Sequence, residues 1–257
     1  MFDLIDSHSH LDVAEFDADR DAVLARARAA GVQRQIVPAI DAAGFARIRA
    51  LCANEAGLYP AYGLHPMYLR EHRPEHLTEV AHWIEREKPV AVGECGLDFF
   101  VPGLDAAEQR HYFERQLELA RDFALPVILH ARRALDEVTA ALRRIGKLSG
   151  VVHSFSGSVE QARQLWKLGF CLGIGGPITY ARAHRLREII ALMPLEFLLL
   201  ETDSPDQPLH GHQGARNEPA LLPDVCVCIA QLRKVDAEVI AEATTRNCER
   251  VFGLRRQ

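Results

Sequence analysis

The stretch Ile5-Asp6-Ser7-His8-Ser9-His10 ends an apolar run with two histidines two positions apart. In an extended chain, alternate side chains share a face, so His8 and His10 can offer two imidazoles to one ion. The same kind of ending recurs down the chain: Gly63-Leu64-His65, Val92-Gly93-Glu94, Leu129-His130, Val152-His153 and Leu200-Glu201-Thr202-Asp203. Imidazole and carboxylate without cysteine form a borderline-to-hard donor set suited to Zn2+, Mn2+ or a similar divalent cation. Six of these residues, His8, His10, Glu94, His130, His153 and Asp203, exceed what one tetrahedral ion needs, whereas two ions sharing a bridging carboxylate use them all. Glu94, held between Gly93 and Gly96 in the middle of the series, is the natural bridge, and the glycines would let backbone and metal approach closely.

The elements that must position these residues are short apolar runs alternating with longer helical patterns. Strands are expected over Leu4 to Ser7, Gln35 to Ala39, Tyr59 to Gly63, Val90 to Gly93, Val127 to Leu129, Gly150 to Val152, Phe170 to Ile174 and Phe197 to Leu200. In Glu108 to Ala124, Phe113, Leu117, Ala120 and Ala124 form an amphipathic stripe, with Asp105 as the expected N-cap and Pro126 as the stop. Further helices are expected near 18–31, 43–56, 75–87, 133–146, 158–168, 182–192 and 219–234, with a final pair near 236–252. Eight strand-helix units in one uninterrupted chain predict an α/β fold of the (β/α)8 TIM-barrel type spanning 1–257 as one domain. A doubly wound open sheet would use fewer units and a glycine-rich first turn, where this chain has His8-Ser9-His10-Leu11-Asp12. In a barrel, chemistry gathers at the C-terminal ends of the strands, which is where the histidines and acids fall. His72, His76, His82, His111 and His184 lie elsewhere and read as structural. His210-Gly211-His212 sits in a glycine- and proline-rich loop with no strand before it.

Composition narrows the partners. With 48% hydrophobic and 25% charged residues among 257, the chain is too apolar for disorder. A net charge of −5 excludes a global field that would draw the molecule onto a polyanion, so any nucleic-acid contact must be local. Arg132, Arg182, Arg185 and Arg216, each following a strand, are the candidates for bidentate phosphate contact, and Tyr68 and Tyr180 for base stacking. The first six residues carry acids and no apolar core of a signal peptide, and no run approaches the ~18 apolar residues of a membrane span. Six cysteines without a C-x-x-C pair fit reduced thiols, so a cytoplasmic location is expected. No obligate protein partner is expected.

Taken together, Ile5-Asp6-Ser7-His8-Ser9-His10-Leu11-Asp12, Gly63-Leu64-His65-Pro66, Val92-Gly93-Glu94-Cys95-Gly96-Leu97-Asp98, Leu129-His130-Ala131-Arg132, Val152-His153-Ser154-Phe155-Ser156-Gly157, Leu200-Glu201-Thr202-Asp203-Ser204-Pro205 and Arg216-Asn217-Glu218-Pro219 closely resemble the TatD family of metal-dependent deoxyribonucleases. The match spans essentially the whole chain, in order. It implies a TIM-barrel hydrolase with two divalent cations (Zn2+, Mn2+ or Mg2+), acting on DNA, often as a 3′ to 5′ exonuclease on single strands or 3′ ends. By motif position it makes His8, His10 and Asp203 ligands of one ion, His130 and His153 of the other, and Glu94 of both. Some branches lack the first His-x-His, which this chain keeps; Ser204 stands where alanine is frequent. Asp203 is then the expected proton-transfer residue, and Glu94 its catalytic partner as bridge. His65, outside the ligand set, is expected to hold a phosphate oxygen or the leaving group, with Arg216 and Arg132 binding substrate. The competing expectation is a metal-dependent amidohydrolase or lactonase acting on a small molecule, because the same barrel serves that chemistry.

Overall fold

Each apolar run is long enough for one short strand and is followed by a helix long enough to carry the chain back, which is the requirement for parallel pairing. In the computed structural model, which describes residues 3–254, the strands are β1 (Leu4–Asp6), β2 (Val32–Pro38), β3 (Leu58–Tyr62), β4 (Ala91–Asp98), β5 (Val127–Arg132), β6 (Gly150–Val152), β7 (Phe170–Ile174) and β8 (Leu198–Leu200). Each pairs in parallel with the next in chain order. The seam between β8 and β1 is bridged by Ser7 N donating to Leu200 O at 2.9 Å, Asp203 N to His8 O at 2.9 Å and His10 N to Ser204 O at 2.8 Å. The protein is a (β/α)8 barrel; positions 1–2 and 255–257 of the expected 1–257 unit lie outside the described residues.

The crossover helices are α1 (Arg20–Ala29), α2 (Phe45–Asn54), α3 (Pro74–Glu87), α4 (Ala106–Asp122), α5 (Leu135–Ile145), α6 (Val159–Lys167) and α7 (His184–Leu192), with α8 (Leu222–Arg233) and α9 (Ala237–Phe252) after the last strand. In α4, Asp105 caps as expected, its carboxylate accepting from Glu108 N at 2.8 Å. Phe113, Leu117 and Ala120 are buried against the barrel, contributing about 1.5–3 kcal/mol for each of the larger two. The helix ends at Asp122, short of the expected Ala124, because Ala124 takes a left-handed conformation with φ 54°.

Two apolar layers divide the strands. Leu4, Val37, Tyr62, Val92, Val127, Val152, Leu172 and Leu198 pack into the shell beneath the helices. Ile5, Ile36, Ala61, Ala91, Ile128, Val151, Cys171 and Leu199, one from each strand, meet as a second cluster, and Cys248, Phe252 and Leu254 at the end of α9 join it. Period-two alternation assigns this second set to the barrel interior, so α9 plugs one end of the barrel. The next inward tier, two residues further along each strand, is where polar groups begin: His130 follows Ile128, His153 follows Val151 and Glu201 follows Leu199. Gly173 belongs to the same tier, and a Cβ there would lie 2.0 Å from Glu201 Oε2.

Two strands run further than their apolar runs suggest. β4 continues from the expected Gly93 to Asp98, and β5 from Leu129 to Arg132, because Cys95–Asp98 pair in register with Leu129–Arg132. Glu94 and His130 are therefore inside strands rather than at strand exits. Between Val92 and Cys95 the register shifts; both of those side chains belong to the helix-side shell, which leaves Glu94 on the interior. The flanking glycines are required by β5 rather than by an ion: a Cβ on Gly96 (φ +150°) would sit 1.9 Å from His130 O, and one on Gly93 (φ +147°) 2.7 Å from Ile128 O. Gly96→Ala should accordingly cost about 2–4 kcal/mol through backbone strain and overpacking, measured as a lower midpoint of denaturant unfolding; an unchanged midpoint would show that β4 and β5 are not this close.

Candidate metal centre

The interior tier converges on one carboxylate. Glu94 is 1% exposed and is approached by five imidazoles from four separate strands or strand exits. His8 Nε2 lies 3.0 Å and His10 Nε2 3.5 Å from Oε2, while His65 Nε2 at 3.0 Å, His130 Nδ1 at 3.2 Å and His153 Nε2 at 2.7 Å face Oε1. Asp203 Oδ1 joins the first group, 3.5 Å from His8 Nε2 and 3.6 Å from His10 Nε2. Among the described residues, three groups place ligand atoms within 4.8 Å of one another: His8, His10 and Glu94; His65, Glu94 and His130; and His8, His153 and Glu201.

The hydrogen bonds around the rings decide which nitrogens are lone-pair donors. His10 Nδ1 lies 3.2 Å from Pro38 O, and His130 Nε2 lies 2.9 Å from Asp98 Oδ2. Each of these nitrogens must carry the proton, so the other ring nitrogen points a lone pair inward, as a metal-ligating histidine does. His65 is the reverse: its Nδ1 accepts from Met67 N at 3.1 Å, so Nε2 carries a proton and donates toward Glu94. Glu94 Oε2 is buried without a hydrogen bond, as are His8 Nδ1, His153 Nδ1 and Glu201 Oε2. Buried carboxylate oxygens left without a donor are a costly arrangement, and a divalent cation is the group that they, together with the inward lone pairs of His10 and His130, fit.

Charge tells the same story. Burial opposes ionisation of Glu94, but His153, His65 and His8 hold its carboxyl well below the usual carboxylate range. Glu94 in turn lifts His10 to about 9 and His153 to about 10 against the effect of burial, so without another cation the cluster draws protons. Burial pushes His65 down to about 4, consistent with a neutral hydrogen-bond donor. It also raises Asp203 and carries Glu201 up to about 8.

Sequence reasoning passed over the residues that orient this cluster. Asp98 uses Oδ2 for His130 and Oδ1 for the amides of Phe100 at 2.8 Å and Val101 at 3.0 Å. These contacts outweigh burial and hold its carboxyl at about 2. Buried Asp6 accepts from Thr202 N at 3.0 Å, Thr202 Oγ1 at 2.6 Å and His8 N at 3.2 Å, pinning the β1 and β8 exits together; burial lifts it to about 7. Gln207 Nε2 donates to Asp203 Oδ2 at 2.5 Å. Glu201, noted at its strand exit but left unassigned, accepts from Ser154 N at 2.5 Å and so fixes the chain just after His153. The sequence signal for Asp98 and Glu201 is position alone, since each is an acid at the end of a barrel strand.

Above the cluster opens a cavity of about 650 Å³, lined among others by His10, His65, Tyr68, Glu94, Arg132, His130, His153 and Asp203. Arg132 thus stands where substrate would bind. Arg216 does not line it: its fork is taken by Asp19, at 2.8 and 2.7 Å, and its guanidinium lies 4.5 Å from the centre of the Phe16 ring. The phosphate contact expected of Arg216 would thus have to compete with its partly exposed ion pair to Asp19. Tyr180 is likewise occupied, its hydroxyl donating to Pro208 O at 2.9 Å. His72 behaves as structural, its Nε2 2.9 Å from His65 O, and His210 and His212 are exposed.

With the barrel and this cluster in view, comparison with known proteins is decisive: the model of the family described as TatD related DNase matches residues 5–253. The chain belongs to the TatD family. It is 44% identical over 253 residues to the uncharacterized metal-dependent hydrolase YjjV of Escherichia coli K12, covering 97% of this chain and 98% of that one. The crystal structure of YjjV superposes with a TM-score of 0.94 over 98% of each chain, at 43% identity. A Danio rerio TatD relative named a candidate deoxyribonuclease, tatdn3, is 32% identical over 96% of both chains. This TatD chain is a metal-dependent hydrolase, and among its described residues no helix is long and apolar enough to cross a membrane.

Asp98→Ala removes the acceptor that fixes the His130 tautomer. We expect divalent-metal affinity to fall about 10- to 100-fold with little change in fold, read by competition with a chromophoric chelator. Full affinity in the variant would mean that His130 needs no such support.

Proposed function

We propose that this TatD-family protein is a deoxyribonuclease that uses two divalent cations, Zn2+, Mn2+ or Mg2+, to remove nucleotides from the 3′ ends of single-stranded DNA. The observation that carries the reading is the division of donors about Glu94: one oxygen faces His8, His10 and, through them, Asp203, while the other faces His130 and His153. Such an arrangement suits a carboxylate shared by two ions, with His8, His10 and Asp203 on one and His130 and His153 on the other. Cations held there would polarise a phosphoryl oxygen and lower the pKa of water.

The chain's own groups supply the rest. Water forms its bond to phosphorus as the P–O3′ bond breaks; Asp203, whose second oxygen Gln207 holds in place, accepts the proton that the water loses, and the departing O3′ takes up a proton from solvent in the open cavity. With cations on Glu94, the Nε2–H that His65 otherwise gives to Oε1 at 3.0 Å would be released to a non-bridging oxygen or to the departing O3′. Arg132, exposed and lining the cavity, offers its fork to the phosphate. The relative named as a candidate deoxyribonuclease supports DNA as the substrate class. All six cysteines are free, which suits action in the reducing cytoplasm.

Incubating metal-loaded protein with end-labelled single-stranded DNA, beside a chelated sample and a panel of lactones and cyclic amides, tests the substrate. We expect stepwise shortening from the 3′ end that chelator abolishes; turnover of lactones or amides alone would replace this reading with the small-molecule one. Glu94→Ala should lower occupancy of both ions, and elemental analysis finding two equivalents retained would refute the bridge. Asp203→Asn keeps the shape and one oxygen donor but cannot take a proton, so kcat should fall about 10²- to 10⁴-fold even at saturating metal. Recovery to within about threefold of wild type in a metal titration would reduce Asp203 to a ligand.

A further inference from the structure

A second cavity of about 530 Å³ adjoins the first, the two sharing Ala131 and Ser156 in their walls. Arg132 lines the first cavity, and Arg133 and Arg185 line the second. Both Arg132 and Arg133 lie against Phe100, an aromatic ring left 45% exposed, with the Arg132 guanidinium 3.7 Å and the Arg133 guanidinium 4.7 Å from its centre. Neither guanidinium has a carboxylate or hydrogen-bond partner among the described residues. Cation–π contact restrains a planar guanidinium while leaving its N–H edge free, so both forks are held and unspent. Arg185 is steadied by donating to Ser156 O at 3.0 Å. Of the acids in the second cavity, Glu137 is paired with Arg110 at 2.7 and 3.0 Å, whereas Asp136 accepts from the neutral Gln161 amide at 2.9 Å, leaving three arginines against one uncompensated carboxylate.

The ring itself is not a loose surface residue. Its amide is held by Asp98 Oδ1, whose other oxygen holds His130, and Phe99 N donates to Arg132 O at 2.9 Å. The loops after β4 and β5 are thereby tied to each other and to the metal cluster, which fixes the arginines relative to that cluster. A protein with net charge −5 has no general attraction for a polyanion, and three arginines in sequence across two adjoining cavities are a local one.

We infer that Arg132, Arg133 and Arg185, with Phe100 as positioning residue, form a phosphate track that carries a single DNA strand out of the metal cleft and into the second cavity. This rests on the deoxyribonuclease reading and deepens it: the substrate is a polynucleotide whose successive phosphates are gripped without reading bases, rather than a dinucleotide or a small ester.

The test compares kcat/KM for a single-stranded ten-mer with that for a dinucleotide, in the wild type and in Phe100→Ala and Arg133→Ala, alongside fluorescence-anisotropy binding of a labelled ten-mer across a salt series. The wild type should prefer the ten-mer, and each variant should lower that preference about tenfold. Arg133→Ala should also reduce the slope of log K against log salt by about 0.7, the loss of one single-strand phosphate contact. Melting temperatures should not move, because both side chains are at the surface. DNA cleavage with an unaltered length preference and salt slope overturns the track and leaves the nuclease standing. A wild type that binds the ten-mer through these residues but cuts no DNA sinks the nuclease reading and leaves the track. A wild type that binds no ten-mer at low salt overturns the track outright.

Discussion

A buried carboxylate that five imidazoles approach within 3.5 Å is the constraint around which this protein is organised. Glu94 could not remain ionised among apolar strands by itself. It does so because positive charge, from protons on His10 and His153 or from bound cations, is drawn to the same point. That demand explains why the rings are tethered from behind by Pro38, Met67 and Asp98 rather than packed loosely. A ring free to rotate would exchange a lone pair for a proton at the one place where the difference matters.

The barrel is what makes such convergence tolerable. Below the cluster, one apolar side chain from each strand and the end of α9 fill the interior. Above it the cavity is open to solvent and substrate. The donors sit at the boundary, where water can no longer screen them but substrate can still arrive. Asp6 closes the boundary at its weakest point, tying Thr202 to the backbone of His8 across the β8–β1 seam, so that Asp203 and His8 keep their distance from Glu94.

The metal cluster and the Phe100 loop are coupled through a single side chain. Asp98 faces His130 with one oxygen and the Phe100 loop with the other. Orientation of a ligand and placement of the arginines at the cavity mouth are therefore fixed together. If the substrate is a nucleic acid, as we propose, a net charge of −5 requires the attraction to be local, and Arg132, Arg133 and Arg185 would supply it.

How much of this was legible in the sequence follows from the range of the physics involved. Alternation of short apolar runs with amphipathic helices is local, and it determined the barrel and the exits of β6, β7 and β8; residue type and two-residue spacing picked out the histidines and acids that meet at Glu94. What depended on contacts between strands was invisible. The register shift that turns Glu94 inward between Val92 and Cys95 exists only because β5 pairs with Cys95–Asp98, and the same pairing carries β4 and β5 past their apolar runs. Arg216 and Arg132 look alike in sequence, each an arginine after a strand. Only the tertiary structure, by placing Asp19 against one and Phe100 against the other, decided that the first is neutralised and the second is free. A side chain's partners across the fold are set by packing between distant segments, and no local pattern encodes them.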